Sequence, residues 1–439
     1  MKSKYKFNKY TYFYTNGNKA LLVNFCNGTK IILEDSRDID YILNIYQKKN
    51  IPFSDSNIFI NLIRNGFILH DNVNEEEFII SNYCKNNTDI LEFLIYVTND
   101  CNFKCKYCPQ IHEKKYMDFE TLNEVCEGII SSLKNEKKVK KLSVSWFGGE
   151  PLLNLKNIVV SSNKLMAFCQ ENGIFYSSGM TTNGFLLTKQ VFIDLYNVGI
   201  KNYQITIDGS EESHNVTRPL FNGKKTWKTI IDNLRDISSL NFDFYITIRL
   251  NVSQNNIDDM TDFISYISNT FDKRFTINIM PISRMGNENS NFHYCGKIES
   301  QLVQIYLYKY MINQNINVDF LDKMFIPTMF VCNSGRPNYF AINCEKKVYK
   351  CELNVNNDKY CIGYIAKDGL YIDNYQNCSY STPSLKLRCT SCFLYALCLG
   401  ISCPLRKVND SPCLLKKDYL INDYMDVILM YYEKKLYNL

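Results

Sequence analysis

"LEFLIYVTNDCNFKCKYCP" occupies residues 91–109. An apolar run of strand length ends in a loop carrying Cys101, Cys105 and Cys108. Tyr107 stands just before the third cysteine and Pro109 just after it. Zinc sites usually gather four ligands, often as paired Cys-x-x-Cys or Cys/His sets, and this run offers three. The chain has 4 histidines; only His112 is near, at no evident metal spacing. Three local thiolates suit three irons of a [4Fe–4S] cube, which leaves the fourth iron free for a small molecule.

Outward from that loop, residues 91–281 alternate strand-like and helix-like patterns. LEFLIYVT, KLSVSWF, IFYSSGMTTN, KNYQITID, FDFYITIRLNV and RFTINIMPI read as strands, with helical stretches between them such as 118–134, 188–197, 225–238 and 256–269. That alternation predicts βα units and a parallel sheet, either doubly wound or an incomplete barrel. In both cases function belongs at the C-terminal ends of the strands. The first of those ends carries the cysteine triplet.

Composition narrows the class. With 439 residues, two to four domains are expected. Hydrophobic residues make up 46% of the chain, enough for a packed core. A net charge of +5, from 50 basic and 45 acidic residues, is too balanced to point to nucleic acid. No apolar run approaches the roughly 18 residues of a membrane span, and the N-terminus lacks the apolar core of a secretory signal. A cytoplasmic location is therefore expected. There 18 cysteines are metal or redox ligands more readily than disulfides. The isolated Cys26, Cys84, Cys126 and Cys169 read as small buried hydrophobes.

The triplet resembles the signature of the radical S-adenosylmethionine superfamily. Further stretches match in the family's order: WFGGEPLLN (146–154), TTNG (181–184) and QITIDGSEESHNVTRP (204–219), each after a strand. The resemblance implies that Cys101, Cys105 and Cys108 hold a [4Fe–4S] cluster and that its free iron chelates S-adenosylmethionine. It further implies cofactor contacts from Gly148, Gly149, Glu150, Asn183, Thr206 and Asp208, with Tyr107 near the adenine. Reductive cleavage then yields a 5′-deoxyadenosyl radical that takes hydrogen from an unactivated C–H bond. No general base is marked.

From about 325 to 415 periodicity weakens and cysteines crowd in, with CTSCFLYALCLGISC (389–403) at the centre. The region resembles the SPASM domain, which binds auxiliary [4Fe–4S] clusters. The resemblance implies Cys332, Cys351 and Cys403 for one such cluster and Cys389, Cys392, Cys398 and Cys413 for a second. Cys344 is a candidate fourth ligand of the first, unless that site stays open for substrate. Two departures are that four residues, not three, precede Cys403, and that Lys346 stands where the family commonly has glycine. A zinc ribbon from Cys389, Cys392, Cys398 and Cys403 is the plainer alternative.

At the N-terminus, YTYFYT, ALLVNF and KIILED read as three short strands joined by turns at Asn16-Gly17 and Asn27-Gly28. Two helices follow, DIDYILNIYQKK and SNIFINLIRNG; FILHD and EEEFII then read as a terminal hairpin, and SNYCKNNTD (81–89) as a linker. This is a winged-helix pattern without a basic recognition helix. It resembles the leader-peptide recognition element of maturases of ribosomally made peptides, where a leader adds a strand to the sheet edge, here around Thr29–Leu33, beside a helix around Asn57–Asn65.

The expected fold class is α/β: a partial (β/α)6 TIM-like barrel (86–290) behind an N-terminal winged-helix peptide-binding domain (1–85). A bridging helix (291–324), a C-terminal cysteine-rich iron–sulfur SPASM domain (325–415) and a last helix (416–439) complete it. The expected function is a radical S-adenosylmethionine peptide maturase that installs a thioether or carbon–carbon cross-link. Its expected partners are a precursor peptide with a leader and a reductase such as flavodoxin or ferredoxin, with no nucleic acid and no membrane. The alternatives are a formylglycine-forming enzyme of the anaerobic sulfatase-maturating type and an iron–sulfur DNA-binding sensor.

Overall fold

The computed structural model describes residues 4–48, 50–86, 89–282, 292, 294–327, 331–409, 413 and 419–437. The chain divides into two compact units: residues 88–317 with 337–378, and residues 1–87 with 318–336 and 379–439.

The second unit's N-terminal segment begins with β1 (Lys4–Phe7), β2 (Thr11–Asn16), β3 (Lys19–Asn24) and β4 (Lys30–Leu33). β2, β3 and β4 form an antiparallel meander whose first hairpin closes at the pair Asn16–Lys19. The two-residue turn puts Gly17 at φ +59°, a conformation that favours glycine. Helix α1 (Ser36–Tyr46) starts at Asp35, whose carboxylate accepts from the Arg37 N–H. After the short β5 (Ile51–Pro52), Ser56 caps α2 (Asn57–Arg64). β6 (Ile68–His70) and β5 flank β1 in a second small sheet. Leu22, Ile42, Ile45, Phe59, Leu62 and Phe67 pack into one core between these elements.

Two expectations fail here. EEEFII is not a strand: residues Glu75–Asn86 form helix α3, so FILHD pairs with β1 instead of closing a terminal hairpin, and residues 81–86 of the expected linker are helical. Glu75, Glu76 and Glu77 in its first turn suit the positive end of the helix dipole. Its buried apolar residues, Ile79 and Tyr83, are four apart on one face.

The barrel unit is built by β7 (Ile90–Tyr96), α4 (Phe119–Asn135), β8 (Lys141–Phe147), α5 (Leu155–Glu171), β9 (Phe175–Thr182), α6 (Lys189–Asn197) and β10 (Ile200–Ile207). It continues through α7 (Glu211–Thr217), α8 (Trp227–Ser238), β11 (Tyr245–Val252), α9 (Met260–Thr270), β12 (Phe275–Pro281) and α10 (Lys297–Asn313). Strands β7 to β12 are parallel and adjacent in chain order. Because crossovers are right-handed, a sequential order puts every connecting helix on the same face. The sheet is therefore singly wound, which removes the doubly wound option. In β8, Leu142, Val144 and Trp146 are buried, while Ser143 and Ser145 alternate onto the other face. There Ser145 pairs with Gly179 of β9.

Four strands lie in the stretch where sequence periodicity fades: β13 (Tyr339–Ile342), β14 (Lys347–Tyr349), β15 (Cys361–Ala366) and β16 (Gly369–Ile372). β13 joins β7 in parallel, and β14 to β16 continue antiparallel, giving a ten-stranded sheet. These strands are three to six residues long, too short for a two-residue period to stand out. In the other unit, α15 (Ile421–Tyr437) follows four short helices, α11 (Asn374–Ser381), α12 (Leu387–Thr390), α13 (Tyr395–Cys398) and α14 (Pro404–Val408), the first of which begins in the barrel unit. Among the described residues no helix is long and apolar enough to cross a membrane.

Candidate active site

The C-terminal ends of β7 to β11 converge on the cysteine loop. Thr98 bridges Tyr116 at its base, and Phe103 bridges Leu220 further along. The N–H groups of Lys104 and Lys106 donate to the carbonyls of Pro219 (2.8 Å) and Thr217 (2.9 Å), so the loop is zipped to the segment after β10. The Phe103 N–H donates to Cys101 Sγ at 3.4 Å. Cys101 is buried and Cys105 and Cys108 half-buried. Burial pushes the Cys101 and Cys105 thiols up to about 12 and raises Cys108 as well, and each of the first two is raised further by its neighbours in the triplet. Holding metal therefore means losing protons from thiols that are neutral at neutral pH.

Gly148 and Gly149 bring β8's end onto that loop. A Cβ on Gly148 would stand 2.4 Å from the Thr98 carbonyl oxygen, and one on Gly149 would stand 2.2 Å from that of Asp100. The Gly149 and Glu150 N–H groups donate to those same carbonyls at 3.0 and 2.8 Å. The glycines thus admit protein backbone. Glu150 is fully buried and accepts from the Leu152 N–H (3.0 Å), Thr182 Oγ1 (2.7 Å) and the Asn183 N–H (2.7 Å). Burial raises its carboxyl. Of roughly four lone-pair sites, three are in use, so one is left for an incoming donor. Asn183 donates to Asn102 Oδ1 at 2.7 Å, next to Cys101 in the chain.

Asp208, fully buried after β10, accepts from Thr217 Oγ1 (2.7 Å) and from the Tyr107 hydroxyl (2.7 Å). Tyr107 Oη in turn accepts from Arg218 Nη1 (2.7 Å) and Asn251 Nδ2 (2.9 Å). Its ring meets Phe292 edge-on, centroids 5.4 Å apart. Tyr107 is thus a strut between the cysteine loop and the ends of β10 and β11. Thr206 lies on β10 in register with Arg249 of β11, whose Nε donates to Asn251 Oδ1 at 2.9 Å.

Sequence reading missed Arg218, Asn251, Arg249 and Asn102 as site residues. Arg218 lies within the quoted 204–219 stretch and Asn102 within the cysteine loop itself; Arg249 and Asn251 carry no spacing signal, because the neighbouring strand β11 brings them in. It also gave His112 no role, yet His112 Nε2 is 3.5 Å from Cys108 Sγ.

In the other unit, Cys389 and Cys392 share a turn, the Cys392 N–H donating to the Cys389 carbonyl at 2.9 Å. The Gly400 N–H donates to Cys398 Sγ at 3.4 Å. Burial pushes the Cys398 thiol up to about 12, and Cys392, Cys413 and Cys389 add to the rise, so these four are electrostatic neighbours. Cys332 and Cys403 belong to this unit and Cys351 to the barrel unit. Cys344 is buried in the barrel unit, its Sγ donating to the Tyr96 carbonyl at 3.2 Å. Cys26, Cys126 and Cys169 are buried as expected; Cys84 is exposed on α3.

Among the described residues no three His, Cys, Asp or Glu side chains converge on a point that one metal ion would occupy. A cubic cluster asks for less, because each cysteine sulfur binds a different iron. The triplet's chemistry fits such a cluster: three thiols on one loop, at strand ends, in mutual electrostatic reach.

Residues 95–267 match the Radical SAM superfamily, a span from the end of β7 into α9 that contains the cysteine triplet, Gly148, Gly149, Glu150, Asn183, Thr206, Asp208, Arg218 and Asn251. The chain thus carries a Radical SAM superfamily domain over these residues, and that superfamily binds a [4Fe–4S] cluster and S-adenosylmethionine. Among its relatives, a GTP 3',8-cyclase of Staphylococcus epidermidis RP62A is 29% identical over 219 residues, 46% of this chain and 58% of the cyclase. The radical SAM cyclopropyl synthase TigE of Paramaledivibacter caminithermalis is 25% identical over 230 residues, 45% of this chain and 46% of its own. The chain thus spans about half the length of these relatives. The solved structure of native anSMEcpe with bound AdoMet and Cp18Cys peptide superposes with a TM-score of 0.59 at 19% identity, covering 80% of this chain and 98% of that one. That likeness is one of fold.

Proposed function

We propose that this enzyme is a maturase of a ribosomally made precursor peptide, which it cross-links through a thioether or carbon–carbon bond. The observation that carries the reading is the N-terminal meander. Among the described residues β4 pairs in a sheet with β3 alone, which makes it the edge strand of the meander, and α2 lies in the same small core. The fold shared with a peptide-bound structure supports it further.

When bound at Cys101, Cys105 and Cys108, the cluster with S-adenosylmethionine supplies a 5′-deoxyadenosyl radical for hydrogen abstraction. The chain's own residues hold and orient. Glu150 keeps one acceptor position for the methionine ammonium, and Thr206, Asn183 and Asp208 present polar groups around it. The cysteines in CTSCFLYALCLGISC, with Cys413, Cys332 and Cys351, would hold auxiliary clusters, which would supply an electron acceptor or an iron site for a substrate thiolate. A flavodoxin or ferredoxin is the electron source, in the cytoplasm.

The likeness to GTP 3',8-cyclases favours a second reading, a nucleotide substrate. Removal of residues 1–86 separates the two. The peptide reading expects 5′-deoxyadenosine release by the full chain to rise with its precursor peptide, and that rise to vanish in the truncated chain, with Cys101→Ala as the no-cleavage control. Stimulation by GTP instead, unchanged by truncation, overturns it.

A further inference from the structure

Three thiolates carry more negative charge than the core of an oxidised [4Fe–4S] cube carries positive charge, and one-electron reduction makes the balance more negative still. In a desolvated loop such charge needs a counterion nearby. Arg218 is 7% exposed. Its Nη1 donates to Tyr107, the residue before Cys108. Its guanidinium carbon lies 5.7 Å from the ring centroid of Phe103, which sits between Cys101 and Cys105 in the chain. Its Nε–H is buried and meets no acceptor among the described residues.

Asp208 is the competing partner for that charge, and it is held at one remove. No direct hydrogen bond joins the two among the described residues; the Tyr107 hydroxyl stands between them, donating to Asp208 and accepting from Arg218. A guanidinium devoted to one carboxylate would dock on it directly, as a fork. Arg218 instead reaches Tyr107 and the face of Phe103, both on the cysteine loop. Its backbone is fixed from both sides: the N–H donates to the His214 carbonyl (2.8 Å) and the carbonyl accepts from Thr226 Oγ1 (2.8 Å).

We infer that Arg218 is a positioning residue that serves as electrostatic counterion to the cluster at Cys101, Cys105 and Cys108 and raises its reduction potential. This rests on the reading of the triplet as a cluster site. The step it eases takes one electron from a low-potential donor into the oxidised cluster, with no bond made or broken. Asp208, sharing the same strut, works in the opposite direction.

The test is an anaerobic redox titration of the reconstituted full chain with dithionite, followed by electron paramagnetic resonance. The triplet's signal is the one absent from Cys101→Ala. Arg218→Gln is expected to move its midpoint to more negative potential and Asp208→Asn to more positive potential. Arg218→Lys, which keeps the charge, is expected to lie closer to wild type than Arg218→Gln does. A loaded Arg218→Gln cluster with the wild-type midpoint overturns the inference and leaves the triplet reading standing. If Arg218→Gln does not assemble, Asp208→Asn decides, because no upward shift there overturns it equally. A wild-type chain whose triplet signal never appears removes the cluster reading and this inference together.

Discussion

At the scale of single residues, most of the matched polar side chains around the cysteine loop already bond to other protein groups. Glu150 has three donors, Asp208 bonds Tyr107 and Thr217, and Tyr107 joins Asp208 to Arg218 and Asn251. Motif residues thus build the loop's geometry first and face a cofactor with what remains. The glycines make this testable. Gly149→Ala would drive a methyl group into the Asp100 carbonyl, 2.2 Å away, which backbone cannot evade cheaply. A loss of about 1–3 kcal/mol is expected, the usual cost of overpacking. Urea unfolding of the purified chain measures it, and wild-type stability in the variant would mean that the two segments are not held this closely.

At the scale of elements, the meander strands and helices α1 and α2 follow their sequence signals, whereas EEEFII, read as a strand, is helix and the short strands β1 and β5 give no signal. EEEFII has an apolar pattern too short to separate strand from helix, and three leading glutamates settle it as helix. Strand β4 is the element on which the peptide reading depends. Ile31 is partly buried beside the small core and lies on β4, the edge strand of the meander. Ile31→Glu is expected to weaken leader-peptide binding at least about tenfold, roughly 1.4 kcal/mol, with the helical circular dichroism of the chain retained. Fluorescence anisotropy with a labelled leader gives the affinity. An unchanged value would move the leader away from this edge.

At the scale of the whole molecule, the chain leaves one compact unit at residue 87 and re-enters it at 318 and again at 379. Its cysteines are distributed accordingly, with the triplet and Cys351 in the barrel unit and Cys389, Cys392, Cys398, Cys403 and Cys413 in the other. If the C-terminal cysteines hold two auxiliary clusters besides the triplet's, anaerobically purified protein should contain about twelve irons and as many sulfides per chain. About four irons would leave the triplet's cluster alone. Zinc in their place would favour the ribbon.

The sequence by itself determined the order of βα units, the strand ends that carry the site and the loop that carries the thiols. Those features are local: strand and helix periods and a short cysteine spacing are written within a few residues of one another. Only the tertiary structure decided that the sheet is singly wound, that β13 to β16 extend it past β7, and that Arg218 and Asn251 meet Tyr107. Each of these depends on hydrogen-bonded register and side-chain approach between segments far apart in the chain. Neither composition nor period encodes which distant residues will face one another, because that choice is made by packing.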